Sequence, residues 1–221
     1  TGANTGLGRA MAIGLAQAGA NVAGVYNSTL PDQSNIIEGL GRKFVPIKAN
    51  LADHAVVDLI VEQVVSELGH VDILVNSAGI VRRGDALGFS EKDWDDVLDI
   101  NLKSLFFLSQ AVAKQYIKQG DGGKIINIAS MLSFQGGVRV PSYTASKSGV
   151  LGLTRLLACE WAPHGINVNG IAPGFFPSKM TNHLKDLHTD IATGTPTRTV
   201  GSPEDAAGTV LYLCSRASNF I

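Results

Sequence analysis

The chain has 221 residues, 45% of them hydrophobic and 17% charged, with 18 basic against 19 acidic side chains and a formal net charge of −1. That apolar content excludes wholesale disorder, and balanced charge gives no net attraction for nucleic-acid phosphates. Only two cysteines occur, Cys159 and Cys214, too few for a disulfide framework, so a reducing, cytoplasmic setting is expected.

In chain order, the residue spacing predicts a helix over 8–18, a short apolar strand over 22–26, a weak helical stretch over 34–40 and a strand over 44–48. The uncharged run from 10 to 31 is interrupted by Gln17, Asn21 and Asn27 and by a helix stop at Gly19, so it is not read as a membrane span. Val56, Leu59, Ile60, Val64 and Leu68 recur on one face of a helix predicted over 55–68. A buried strand over 71–75 follows and ends at Asn76-Ser77-Ala78-Gly79. Next come a long helix over 91–118, bent or broken near Asn101, and a strand over 124–129. A helix over 142–161, a strand over 166–171 and a final helix over 203–213, with Ser202 as its N-cap, complete the pass. The acidic run 93–96 reads as a solvated first turn.

These strands are continuous apolar runs, which suits a parallel sheet covered on both faces. Alternation of strand and helix implies an α/β, doubly wound sheet in one domain spanning 1–221. The 25 glycines follow no repeat and fit tight strand–helix turns. The N-terminus has neither an initiator Met nor the pattern of a secretory leader, and no strand precedes the first glycine turn, so the chain reads as truncated there.

Thr1-Gly2-Ala3-Asn4-Thr5-Gly6-Leu7-Gly8 opens straight into the first helix. In such a turn Gly2 permits the tight bend, Gly6 lets the backbone approach a pyrophosphate, and Gly8 allows close packing, with the helix N-terminus facing the anion. Tyr143 and Lys147 are four apart, hence one turn from each other on one helix face. A nearby ammonium would stabilise the phenolate and bring its pKa towards neutrality. Ser130 ends a buried strand, at the carboxyl edge where α/β sheets bind ligands. The five histidines are scattered, and His183 and His188 with Asp186 and Asp190 form no ligand pattern, so no metal is expected.

Taken together, these residues resemble the short-chain dehydrogenase/reductase family, a Rossmann-type fold. Thr1–Gly8 matches its cofactor turn, Asn76–Gly79 its NNAG-like motif, Asn101 its helix asparagine, Ser130 with Tyr143–Lys147 its catalytic set, and Pro173-Gly174 the segment after its sixth strand. The family's last strand lies beyond Ile221, so the resemblance implies truncation at that end as well. The resemblance implies that Tyr143 exchanges a proton with the substrate oxygen and Ser130 polarises that oxygen. Lys147 would hold the nicotinamide ribose and Asn101 would position a relay water. It further implies NAD or NADP contacts at Gly2, Asn4, Thr5, Gly6, Leu7 and Gly8, at Tyr26, and at Asn50 and Leu51. Asn76, Ala78 and Gly79, then Tyr143 and Lys147, and finally Pro173, Gly174, Phe176 and Ser178 complete that set. Tyr26 and Asn27 carry no charge where the 2′ group of the cofactor would lie, which favours NAD.

Residues 82–87, 90–96 and 133–142 resemble the branch of the family that acts on sugar acids. A sugar acid needs a cation for its carboxylate and hydrogen-bonding groups for its hydroxyls; Arg139, four residues before Tyr143, is the best-placed candidate, with Gln135 and Arg82 or Arg83 behind it. Residues 175–181 look more like the lid of 3-oxoacyl reductases, which keeps a 3-oxoacyl thioester open as substrate. A third expectation is an inactive fragment or a cofactor-binding protein without catalysis. Family members pair their two long helices between subunits, so a homo-oligomer, dimer or tetramer, is expected.

Overall fold

The computed structural model describes residues 1–177 and 193–221. In chain order it contains α1 (Gly6–Gln17), β1 (Val22–Tyr26), α2 (Ser34–Gly39), β2 (Phe44–Lys48), α3 (Val56–Leu68) and β3 (Ile73–Asn76). It continues with α4 (Glu91–Leu98), α5 (Ser104–Gln119), β4 (Gly123–Ile128), α6 (Pro141–Trp161), β5 (Ile166–Ile171) and α7 (Asp205–Cys214). All strand pairs are parallel: β1 with β2, and β3–β4–β5 in that order.

Successive residues of β4 feed opposite layers, as a period of two requires. Ile125 packs with α3, α5 and α6 through Val57, Ile60, Leu108, Tyr116 and Leu157, while Ile126 and Ile128 pack with α1 and α7 through Met11 and Val210. Both Ile125 and Ile126 are fully buried. β4 therefore has the continuous buried run expected of a doubly covered strand, whereas β5 alternates apolar Ile166 and Val168 with Asn167 and Asn169, and β2 exposes Pro46 and Lys48.

The two ladders are not hydrogen-bonded to each other. Between β1 and β3 lies an apolar cavity of about 350 Å³, lined by residues such as Ala23, Val25, Val71, Ile73 and Val75. At its carboxyl end the first residues bridge the two ladders. Thr1 N donates to Val75 O at 2.8 Å and Ala3 N to Val25 O at 3.4 Å, while Thr1 Oγ1 accepts from Ser77 N and Ala78 N.

The long helix is broken near Asn101 as expected, by a π turn at Asp99–Lys103 that contains it. Two other expectations need adjustment. Ser202 does not cap α7 with its side chain; instead its backbone N–H donates to the Asp205 carboxylate at 2.7 Å. The acidic run is only partly a solvated turn. Ser90 caps α4 by accepting from Asp93 N, but Asp93 and Asp96 also hold Arg82, each at 3.3 Å. Among the described residues no helix is long and apolar enough to cross a membrane.

Candidate functional site

The glycine turn, the segment after β3, the end of β4 and the first turns of α6 converge at the carboxyl edge of the sheet. Gly2 has φ +62°, and a Cβ there would stand 2.9 Å from Ala78 Cα, so this position fixes how closely the first turn meets the Asn76–Gly79 segment. Gly8 is constrained differently: its Cβ would fall 2.2 Å from the Gly2 carbonyl oxygen. Thr5 precedes α1 without a side-chain capping bond, and the first turn holds no acidic residue. Those backbone N–H groups, uncapped and facing no carboxylate, suit an anion such as a pyrophosphate.

The turn is clipped to the loop after β1. Asn4 Nδ2 donates to Thr29 O at 3.1 Å, the buried Gln33 donates to Ala3 O at 2.7 Å, and Arg9 pairs with Asp32 at 2.7 Å. Tyr26 closes β1 half-buried, and Asn50 beyond β2 is exposed with its Oδ1 accepting from Ala52 N, while Leu51 is buried.

The Asn76 side chain turns away from this cleft, which leaves its backbone at the end of β3 for the expected cofactor contact. Its Nδ2 donates to Ser109 Oγ at 2.9 Å and to Asn127 Oδ1 at 3.0 Å, and Asn127 in turn donates to Thr154 Oγ1. This buried network satisfies polar groups inside the layer of α5 and α6. Leu74 on the same strand and Ile125, two residues before Asn127, pack on that layer too, so the alternation along β3 and β4 was the signal that could have placed both asparagines.

Asn101 is also fully engaged. Its Oδ1 accepts from Ile80 N at 2.8 Å, and its Nδ2 donates to Ile80 O at 2.9 Å and to Ser146 Oγ at 3.1 Å. Ser146 then donates to Tyr143 O. The amide thus ties the segment after β3 to α6, and both of its N–H donors are used in that frame. Gly79 lies against it, with a Cβ there 3.3 Å from Asn101 Oδ1 and 3.8 Å from Lys147 Nζ.

Ser130, Tyr143 and Lys147 come together as their spacing implied. Lys147 is buried and its Nζ donates to Ile128 O at 2.6 Å; burial pulls its pKa down to about 8. Nζ stands 5.8 Å from the centre of the Tyr143 ring. Burial pushes the Tyr143 phenol above its ordinary value, opposed by a hydrogen bond with the Ser130 side chain and by the charge of Arg83. Desolvation is the largest influence on the phenol in this structure, and the Ser130 hydroxyl and the Arg83 charge work against it.

The substrate side of the cleft separates the candidate cations. Arg82 is held by Asp93 and Asp96. Arg139 is an exposed residue with φ +63°; its guanidinium stands 3.7 Å from Asp85, and its carbonyl accepts from Gly84 N. Arg83 is exposed, has no ion-pair partner among the described residues, and its charge favours the ionised Tyr143 phenol. Sequence reasoning ranked it behind Arg139; its place just beyond the Asn76–Gly79 segment was the available signal. Gln135 lies exposed beyond the short turn Met131–Ser133. Pro173 and Gly174 follow β5, and the ring of half-buried Phe176 covers Gly201. Ser178, His183 and His188 lie outside the described residues. Among the described residues no cluster could hold a metal ion.

Comparison with known proteins gives concordant findings. Residues 1–188 match a family model described as short chain dehydrogenase. The chain is 52% identical over its whole length to the 2-dehydro-3-deoxy-D-gluconate 5-dehydrogenase of Escherichia coli K12, covering 88% of that enzyme. It is 40% identical, again over its whole length, to a 3-oxoacyl-[acyl-carrier-protein] reductase of Staphylococcus aureus, covering 91% of it. Among solved structures, an Agrobacterium tumefaciens protein assigned as a 2-deoxy-D-gluconate 3-dehydrogenase, with NADP bound, superposes with a TM-score of 0.90 at 46% identity. That match covers all of this chain and 89% of the other.

Proposed function

The chain belongs to the short-chain dehydrogenase family, and on that premise we propose that it interconverts a secondary alcohol and a ketone on a sugar acid of the 2-dehydro-3-deoxy-D-gluconate type. Arg83 carries this reading: an exposed guanidinium without an ion-pair partner among the described residues, whose charge reaches the Tyr143 phenol, can receive the carboxylate at the far end of a sugar acid whose reacting carbon lies at Tyr143. Arg139 and Gln135 supply further polar contacts at the rim.

A bound nicotinamide supplies the hydride acceptor or donor. The chain's own residues manage the proton and the geometry. In reduction Tyr143 gives its phenolic proton to the carbonyl oxygen while the carbonyl carbon takes up hydride; in oxidation the phenolate takes the hydroxyl proton back. Ser130 donates a hydrogen bond to the same oxygen and to the phenol in turn. Lys147, one turn along α6, orients the ribose, and Asn101 fixes the relation between α6 and the segment after β3. The uncapped start of α1 receives the pyrophosphate. Tyr26 and Asn27 present no cation to a 2′-phosphate, and Arg9, which reaches the same loop, is engaged by Asp32; this favours NAD over NADP. The unpaired thiols of Cys159 and Cys214 fit a reducing cytoplasm.

The test is turnover followed by nicotinamide absorbance with a sugar acid and with a 3-oxoacyl thioester. The sugar acid should have the higher kcat/KM, and Tyr143→Phe should abolish the signal with either; a higher value for the thioester would select the second reading, favoured by the similarity to 3-oxoacyl reductases. Binding of cofactor without turnover would select a non-catalytic role.

A further inference from the structure

Ser133 is not among the residues given a role in the chemistry above, yet its hydroxyl joins two of them. Its Oγ accepts from Ser130 N at 3.2 Å and donates to Lys147 O at 2.7 Å. Ser130 Oγ in turn accepts from Leu132 N at 3.2 Å, so the start of the short turn Met131–Ser133 is closed by a reciprocal capping box. Lys147 is meanwhile tied to the same strand end by its side chain, Nζ to Ile128 O. The result is a closed hydrogen-bonded ring. It runs from Ile128 to Ser130 along the chain, across Ser133 Oγ to the Lys147 backbone, and out along the lysine side chain to Ile128 again.

We propose that Ser133 is a positioning residue that sets the separation between Ser130 at the end of β4 and the Tyr143–Lys147 turn of α6. Among the described residues no other hydrogen bond joins the Ser130 backbone to α6. A carbonyl inside a helix keeps a second lone pair after its helical bond, so Lys147 O accepts from Ser133 without loss to α6. Ser130 leaves β4 in extended conformation, φ −159° and ψ 159°, and the direction of its side chain is set by where its N–H is held. Without the Ser133 hydroxyl that N–H loses its partner, and the Ser130–Tyr143 hydrogen bond is free to lengthen. The inference rests on the assignment of Ser130, Tyr143 and Lys147 made above.

The experiment compares wild type, Ser133→Ala, Ser133→Thr and Tyr143→Phe. Steady-state turnover is measured with the sugar acid, NADH affinity by fluorescence titration, and phenol ionisation of the cofactor-free protein by absorbance at 295 nm against Tyr143→Phe. Ser133→Ala should lower kcat about tenfold, since loosened near-attack geometry acts on the chemical step, with KM and NADH affinity within about twofold. Its phenol should titrate at higher pH, and Ser133→Thr, which keeps the hydroxyl, should restore both. Wild-type kcat and phenol titration in Ser133→Ala would overturn the proposal, as would a loss of kcat matched by an equal loss of NADH affinity. Residual turnover in Tyr143→Phe would instead overturn the catalytic assignment itself.

Discussion

Lys147 and Tyr143 illustrate how burial sets the chemistry of single residues. An ammonium inside the protein with one carbonyl partner is held at a cost, and its pKa falls from 10.5 to about 8. Between these values the unfolded chain binds more protons than the folded one, so stability rises with pH across that window. Below pH 8 the whole penalty applies; it amounts to about 3 kcal/mol, at ~1.4 kcal/mol per pKa unit. Urea denaturation at pH 7.5 and pH 10 should show wild type gaining stability relative to Lys147→Met, which has no such slope; parallel curves would contradict the burial argument. Arg83 makes the complementary case for a charge at the surface. Removing one partner of a charge-assisted contact costs about 1.5–3 kcal/mol, so Arg83→Met should lower kcat/KM for a sugar acid about 10- to 100-fold. A neutral polyol should be affected far less, and an equal loss on both would remove Arg83 from carboxylate recognition.

At the level of elements, the site depends on backbone approaches that only glycine permits. A methyl group on Gly8 would sit 2.2 Å from the Gly2 carbonyl oxygen, so α1 would have to move away from the first turn. Overpacking of this kind costs about 1–3 kcal/mol. Gly8→Ala should therefore lower the urea midpoint by that equivalent and also weaken cofactor affinity, measured by fluorescence titration, because the N–H groups of α1 shift with the helix. The π turn at Asp99–Lys103 has a comparable positional role. It interrupts α4 and α5 where Asn101 must reach both Ile80 and Ser146, and such turns recur at functional sites.

For the whole molecule, the layered core leaves apolar side chains facing outward on two helices. Phe107 and Ile117 on α5 and Leu156 on α6 are 38%, 48% and 51% exposed. Pairing these helices between copies of the chain would bury such side chains. Light scattering should give a mass of at least two chains, and Leu156→Glu should reduce it; a monomer at micromolar concentration would contradict the assembly. The chain is an NAD(P)-dependent oxidoreductase by family, and such pairing would stiffen α5 and α6, the helices flanking Asn101 and carrying Tyr143.

Much of this architecture was legible in the chain itself. Apolar periodicity, glycine turns and the four-residue step from Tyr143 to Lys147 are properties of neighbouring residues, and they determined the order of elements, the parallel sheet and the shared helix face of Tyr143 and Lys147; the grouping of Ser130 with them came from the family resemblance. What the tertiary structure decided is which way the side chains look and what surrounds them. Asn76 turns into a network with Asn127 and Thr154, Arg82 is taken by Asp93 and Asp96 while Arg83 is left exposed, and burial raises the Tyr143 phenol. Ion pairing and desolvation depend on groups far apart in the chain, and their outcome is set only when packing brings those groups together and excludes water.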